Sequence, residues 1–334
     1  MKGNFLKKLF CTSVCAALLT ACGGDKKAET APSDTTQENK TLAITAIVEH
    51  PSLDAVRMGA IEQLAQEGFV EGKNLKIDFQ SAQGNMATAG QIAKQFVANS
   101  PDAILAIATP SAQSVAAVTT DIPLIFSAVT DPVEAKLVKD LAGSGTNVAG
   151  ASDVLPYEPQ IELIKELIPN VKNVGYVYNP AEVNSTIVLK ALKEKLAPLG
   201  VNVVEAPAQK SSDIGMATGT LVGKVDVIYT STDNMVVSAY ESLYQVAKEA
   251  KIPLIASSTD AVERGAVAAL GVNYTELGKE SGKIIARILK GEKAGEIAVY
   301  IPNNLDLHVS KKHAAEQGVE LPQSILDRAA KVLE

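Results

Sequence analysis

From Thr41 onward, hydrophobic residues fall into short continuous runs that alternate with longer segments of helical period. The runs are rich in Val, Ile and Leu and are bounded by Gly, Pro, Asn or Asp. That pattern predicts strands buried on both faces and separated by helices. A strand over 42–48 leads into a helix near 52–67, then Gly68 and a strand over 75–79. The same order returns as a strand over 174–178, a helix near 182–199, Gly200 and a strand over 201–205. Each copy continues with a small-residue helix (about 86–98; about 212–221) and another strand, 103–108 or 225–230. After a further helix come Ile122-Pro123-Leu124-Ile125-Phe126-Ser127 and Ile252-Pro253-Leu254-Ile255-Ala256-Ser257, followed by Thr130-Asp131 and Thr259-Asp260.

Matched elements in one order predict an α/β protein of two similar doubly wound lobes, each with a parallel sheet covered by helices. Such sheets bind ligands beyond the carboxyl ends of their strands. Ser, Thr, Asp and Asn gather at those ends: Thr109, Ser111 and Gln113 in one copy, Thr232, Asp233 and Asn234 in the other, with Ser127, Thr130, Asp131, Ser152 and Asp153 nearby. The same residue types are the favoured helix N-caps, so any single loop is read as well by capping as by binding. Their coincidence at equivalent ends of both copies points to a ligand cleft.

The residues before Thr41 change the setting. Lys2, Lys7 and Lys8 precede an apolar stretch over 10–21, too short to span a bilayer and suited to a signal peptide. It ends in Leu19-Thr20-Ala21-Cys22, similar to a bacterial lipoprotein processing box, in which the Cys is lipidated and becomes the first mature residue. Residues 23–40 are polar and read as a disordered tether. Loss of residues 1–21 removes three lysines and no acid, moving the formal net charge from -7 to -10 and leaving Cys22 as the sole cysteine. Stability is then expected from packing without a disulfide. An acidic chain with 4% aromatic residues has neither a basic face nor a stacking platform for nucleic acid. Three scattered His and three Cys make no zinc framework, so no metal and no cofactor are expected. Phosphate loops, dinucleotide fingerprints, zincin and serine-nucleophile motifs are absent from the sequence, and no catalytic residue is assigned.

The motifs Glu49-His50-Pro51 with Leu53-Asp54, Thr109-Pro110-Ser111-Ala112-Gln113, Val129-Thr130-Asp131-Pro132 and Gly150-Ala151-Ser152-Asp153 occur in this order. Asn179-Pro180 with Asn184-Ser185, Thr232-Asp233-Asn234 and Gly271-Val272-Asn273-Tyr274 complete the set. Together they resemble the ABC-transporter substrate-binding lipoproteins whose characterised members bind tryptophan, tyrosine or related aromatic amino acids. The resemblance runs from Thr41 to the C-terminus. It implies a type I periplasmic-binding fold with a three-crossing hinge, near Ala151, Asn273 and Pro302. The division is then signal peptide 1–21, tether 22–40, first lobe 41–151 plus 274–302, and second lobe 152–273 plus 303–334. It further implies an extracytoplasmic, lipid-anchored, monomeric receptor that delivers an aromatic or apolar amino acid to an ABC permease. A ligand sensor partnering a membrane protein through the same two lobes is the alternative.

The four arginines, Arg57, Arg264, Arg287 and Arg328, lie outside the proposed loops, which disfavours a phosphate or dicarboxylate clamp. Asp beside hydroxyls and amides suits a zwitterion. Asp131 and Asp153 lead as partners for its amine, and Asp233 ranks third because it opens a helix. His50 shapes the first loop, while His308 and His313 read as surface residues. Tyr178 and Tyr274 are candidates to line a side-chain pocket, whereas Phe126 reads as core. With Asn179, Asn184, Ser185, Ala112 and Ser257, these residues complete the expected ligand site.

Overall fold

The computed structural model describes residues 39–334; the signal peptide, Cys22 and nearly all of the tether lie outside the described residues. The first lobe runs β1 (Lys40–Ala46), α1 (Pro51–Gln66), β2 (Leu75–Ser81), α2 (Met86–Asn99), β3 (Ala103–Ile107), α3 (Thr109–Ala116), β4 (Leu124–Val129) and β5 (Val148–Ser152). The second continues α4 (Tyr157–Leu167), β6 (Asn173–Tyr178), α5 (Val183–Leu196), β7 (Asn202–Pro207), α6 (Ile214–Gly219), β8 (Val227–Thr230), α7 (Asn234–Ser238), α8 (Tyr240–Ala250), β9 (Leu254–Ala256) and β10 (Ala268–Gly271). Then come α9 (Tyr274–Leu289), β11 (Asp306–Ser310), α10 (Lys311–Glu316), α11 (Gln323–Arg328) and β12 (Lys331–Leu333).

The sheets have the orders β2-β1-β3-β4-β5 and β12-β11-β10-β9-β8-β6-β7. Their shared part follows one rule: the first strand of each lobe lies between the second and third, and the rest follow outward. Every residue of β3 and β4 is buried because helices cover both faces, which is why those strands read as unbroken apolar runs. β2 and β7 form edges in the first and second sheets and are only partly buried. Gly68 and Gly200 follow the matching helices with φ of 94° and 71°, the left-handed conformation that ends a helix cheaply only at glycine.

The chain passes from the first sheet to the second after β5. It returns after β10, so that α9 packs against the first lobe's core, and crosses again after Tyr300, which bridges to Ala151. The second sheet departs from the all-parallel expectation. Gly271 at the end of β10 pairs with Asp306 at the start of β11, and the two strands run antiparallel. The third crossing delivers the chain to the hinge end of the sheet, so β11 must run away from the hinge.

Two further expectations are corrected. His313 is buried, packs its ring 5.2 Å from that of Tyr244, and has Nδ1 3.0 Å from the Val262 carbonyl. His308, in β11, is partly buried. The C-terminal segment joins the sheet, which buries His313 and partly covers His308.

Helices α1 and α9 meet with almost no side-chain spacing. A Cβ on Gly278 would stand 2.2 Å from the Val56 carbonyl oxygen, and one on Gly59 would stand 2.4 Å from that of Thr275. Glycine at this crossing lets the returning helix dock backbone to backbone, which sets the position of its first residue, Tyr274.

Candidate functional site

The carboxyl ends of both sets of strands face one narrow cleft. The first lobe lines it with His50, Ser52 and Leu53 at the start of α1, Ala108 and Thr109 between β3 and α3, and Ala128 and Thr130 at the end of β4. Asp153 and Tyr274 come from the first two crossings. The second lobe supplies Asn184, Thr232, Asn234, Val237 and Ser258. The two walls touch: Ser52 Oγ lies 2.9 Å from Ser258 Oγ and donates to Asp260 Oδ1 at 2.6 Å, and Thr130 and Thr232 hydroxyls stand 3.4 Å apart.

Asp153 is 3% exposed. Its Oδ2 accepts a 2.9 Å hydrogen bond from the Tyr274 hydroxyl, while its Oδ1 is buried with no partner among the described residues. Burial raises this carboxyl above its ordinary range, against the opposing hydrogen bond from Tyr274. His50 N-caps α1 without a side-chain bond. Burial and then Arg264 lower its imidazole to about 4, opposed by Asp260, so it is neutral at physiological pH, and its buried Nδ1 has no partner among the described residues. Thr109 Oγ1 is likewise buried and unpartnered among the described residues. Polar groups left in this state are costly unless something else satisfies them. Here several of them border one space.

The backbone of the first-lobe wall is strained. Ala108 and Ala128 hold φ of 73° and 55°, a region that non-glycine residues seldom enter. Ala128 sits where the β4–β5 register shifts between Ser127 and Val129. The strain turns the ends of β3 and β4 at the cleft.

Of the residues expected from sequence, His50, Thr109, Thr130, Asp153, Asn184, Thr232, Asn234 and Tyr274 line the cleft. The others stand behind or outside it. Asp131 Oδ1 accepts from the amides of Val133 and Glu134, the capping alternative. Asp233 Oδ1 caps α7 through Met235 and Val236, and its Oδ2 accepts from Asn179 N and Ser185 Oγ, both at 2.6 Å. Every oxygen of Asp233 is therefore occupied. Ser152 donates to the Val129 carbonyl, Ser127 accepts from Ser281, and Gln113 donates to the Ala135 carbonyl. Ser111, Ala112 and Ser257 are buried beneath the wall. Asn179 accepts from Ala181 N. Tyr178 donates to Glu205 and stacks on Tyr176, and Phe126 is core. Arg264 approaches the cleft, but its guanidinium is held by Glu241 and the Val237 carbonyl.

Sequence reasoning missed Ser52, Ser258, Ala108, Ala128, Leu53 and Val237. Ser52 and Ser258 carried a signal, since each directly follows a motif or strand end already singled out. The alanines carried none, because a methyl group announces no chemistry.

The family model described as ABC transporter substrate binding protein matches residues 41–333. A tyrosine-binding protein of Clostridioides difficile is 43% identical over 287 residues, covering 85% of this chain and 83% of that protein. The structure of an ABC domain in complex with L-Trp from Streptococcus pneumonia superposes with a TM-score of 0.85 at 35% identity, covering 89% of this chain and all of that one. A ligand-free, open substrate-binding protein with adhesive properties from Clostridium difficile gives a TM-score of 0.66 at 41% identity, over 88% of this chain and 99% of that one. The less similar sequence is the better structural match. In the present structure the two walls of the cleft are in contact.

Proposed function

The chain belongs to the family of ABC transporter substrate-binding proteins, and from that premise we propose that it binds an amino acid with an aromatic or apolar side chain outside the cytoplasm and presents it to an ABC permease. The observation that carries the ligand class is Asp153. A carboxylate buried at the hinge, with one oxygen fixed by Tyr274 and the other unpartnered, suits an ammonium group. The hydroxyls of Thr109 and Thr130, beside the first-turn N–H groups of α3, suit the ligand carboxylate without an arginine. The ligands named for the relatives, tyrosine and L-Trp, support the same class.

Because contacts come from both lobes, the ligand shifts the population toward the closed form. Calorimetric titration with a panel of amino acids is expected to give saturable binding for aromatic members, and small-angle scattering a smaller radius of gyration with the binder. Absence of binding by every amino acid would sink this reading.

The anchor is proposed at Cys22. A flexible chain of eighteen residues, the length of the proposed tether, spans about 20–25 Å on average, enough for the body to turn toward a permease while anchored. Cys22→Ser is expected to move the protein from the membrane to the soluble fraction with unchanged ligand affinity. Retention of the processed variant in membranes would refute lipidation there.

A further inference from the structure

Behind the second-lobe wall lies a carboxyl group that touches no ligand-facing space yet holds two residues that do. Glu182, 2% exposed, immediately precedes α5. Its Oε2 accepts from the backbone N–H of Asn234 at 3.1 Å, from Asn234 Nδ2 at 2.5 Å and from Asn184 Nδ2 at 3.2 Å. A backbone N–H can only donate, so Oε2 is an acceptor whichever protonation state the carboxyl adopts. Burial and the neighbouring Asp233 push the Glu182 acid up to about 8. With three N–H groups already converging on Oε2, a proton, when present, sits on Oε1, which is buried with no partner among the described residues. Both side-chain amides must then turn their NH₂ groups toward Glu182. For Asn184 the choice is fixed a second time, because Nδ2 also reaches the Thr232 carbonyl at 3.2 Å, which can only accept. The amide oxygen is what remains. Asn184 Oδ1 is buried with no partner among the described residues, and Asn184 lines the cleft.

We propose that Glu182 is a positioning residue for recognition: its Oε2 locks Asn184 and Asn234 with nitrogen inward, so that the second lobe offers the ligand an oxygen and selects a molecule with a hydrogen-bond donor at that point. Every member of this fork belongs to the second lobe, so it is set before the lobes close. It rests on the amino-acid reading above, in that the donor is an N–H or O–H of the bound amino acid.

The test is titration of L-tyrosine into the wild-type protein, Glu182→Gln and Glu182→Met, with thermal melts to confirm folding. Gln keeps an acceptor oxygen at the fork, and Met fills the volume without one. Affinity is expected to fall at least 30-fold in Glu182→Met and to return within about threefold of wild type in Glu182→Gln. Equal affinities in all three proteins would overturn the proposal. So would a Gln variant as weak as Met, since charge rather than amide orientation would then matter. Should Glu182→Met fail to fold, Asn184→Ala must show the 30-fold loss, and normal binding there overturns the assignment. Hydrogen exchange of the Asn184 side-chain amide, followed by NMR in the ligand-free protein, tests the fork without any ligand: protection is expected, and exchange at the rate of a free amide refutes it. A wild-type protein that binds no amino acid but keeps the protected amide refutes the ligand class and the ligand-side role together, leaving only the fork.

Discussion

Asp153→Ala is expected to weaken amino-acid binding by two to more than three orders of magnitude while leaving the ligand-free protein as stable as the parent or more so. Losing the partner of a buried ammonium costs about 3–5 kcal/mol, and about 1.4 kcal/mol is a factor of ten in affinity. Stability moves the other way for a definite reason. Burial raises the Asp153 carboxyl in the folded state, so the unfolded chain ionises first as pH rises. Between the unfolded and the folded pKa, each step up in pH therefore lowers the stability of the empty protein. Removing the carboxyl removes that loss.

Affinity in the parent protein should fall as pH drops through the elevated pKa of Asp153, because the ammonium needs the ionised partner. His50, lowered to about 4 mainly by burial, is neutral above that range. Glu182 and Asp233, also raised by burial, titrate behind the second-lobe wall, so the part of the profile that belongs to Asp153 is the part missing from Asp153→Ala. Asp131→Ala is the control: its carboxylate caps a loop, so about 1 kcal/mol of stability is at stake and little affinity. Calorimetry and melting curves on both variants separate the roles. Normal binding by Asp153→Ala would transfer the amine to another group and end the zwitterion model built on this residue.

Gly278→Val is expected to destabilise the protein by about 3 kcal/mol or more, at the upper end of overpacking costs. The obstacle is the Val56 carbonyl oxygen, 2.2 Å from the new Cβ, and a backbone atom inside a helix cannot swing aside as a side-chain tip can. Valine in place of glycine gains a few tenths of a kcal/mol in helix propensity, far too little to offset a forced separation of α1 and α9. Ligand affinity should fall as well, since α9 opens with Tyr274, which holds Asp153 Oδ2. Urea denaturation gives the stability change. An unaltered midpoint would mean that the two helices do not meet at this glycine.

The repeated strand and helix pattern was legible because its physical cause is local. Strands covered on both faces must be apolar throughout, and helices that close on a left-handed turn call for glycine, so β1, β3, β4, β6, β8 and β9 were readable from their runs, and the ends of the two matching helices from Gly68 and Gly200. β11 and β12 were not, because Asp306–Ser310 mixes polar and apolar residues and becomes a strand only where β10 offers an edge at the hinge. The loops that gather at the cleft were also legible, from hydroxyl, amide and carboxylate side chains at strand ends.

What those side chains face was not. Asp131, Asp153 and Asp233 each follow a strand and look alike in sequence. One caps a loop, one caps a helix, and one stands at a crossing with an oxygen to spare. Sequence determined the two lobes and the chemistry available at their strand ends, since burial and backbone conformation act over a few neighbouring residues. Only the tertiary structure decided which of those groups remain without partners in the cleft, and how Glu182 holds two amide nitrogens away from it. Hydrogen-bond satisfaction depends on atoms brought together from residues about 50 to more than 200 positions apart in the chain.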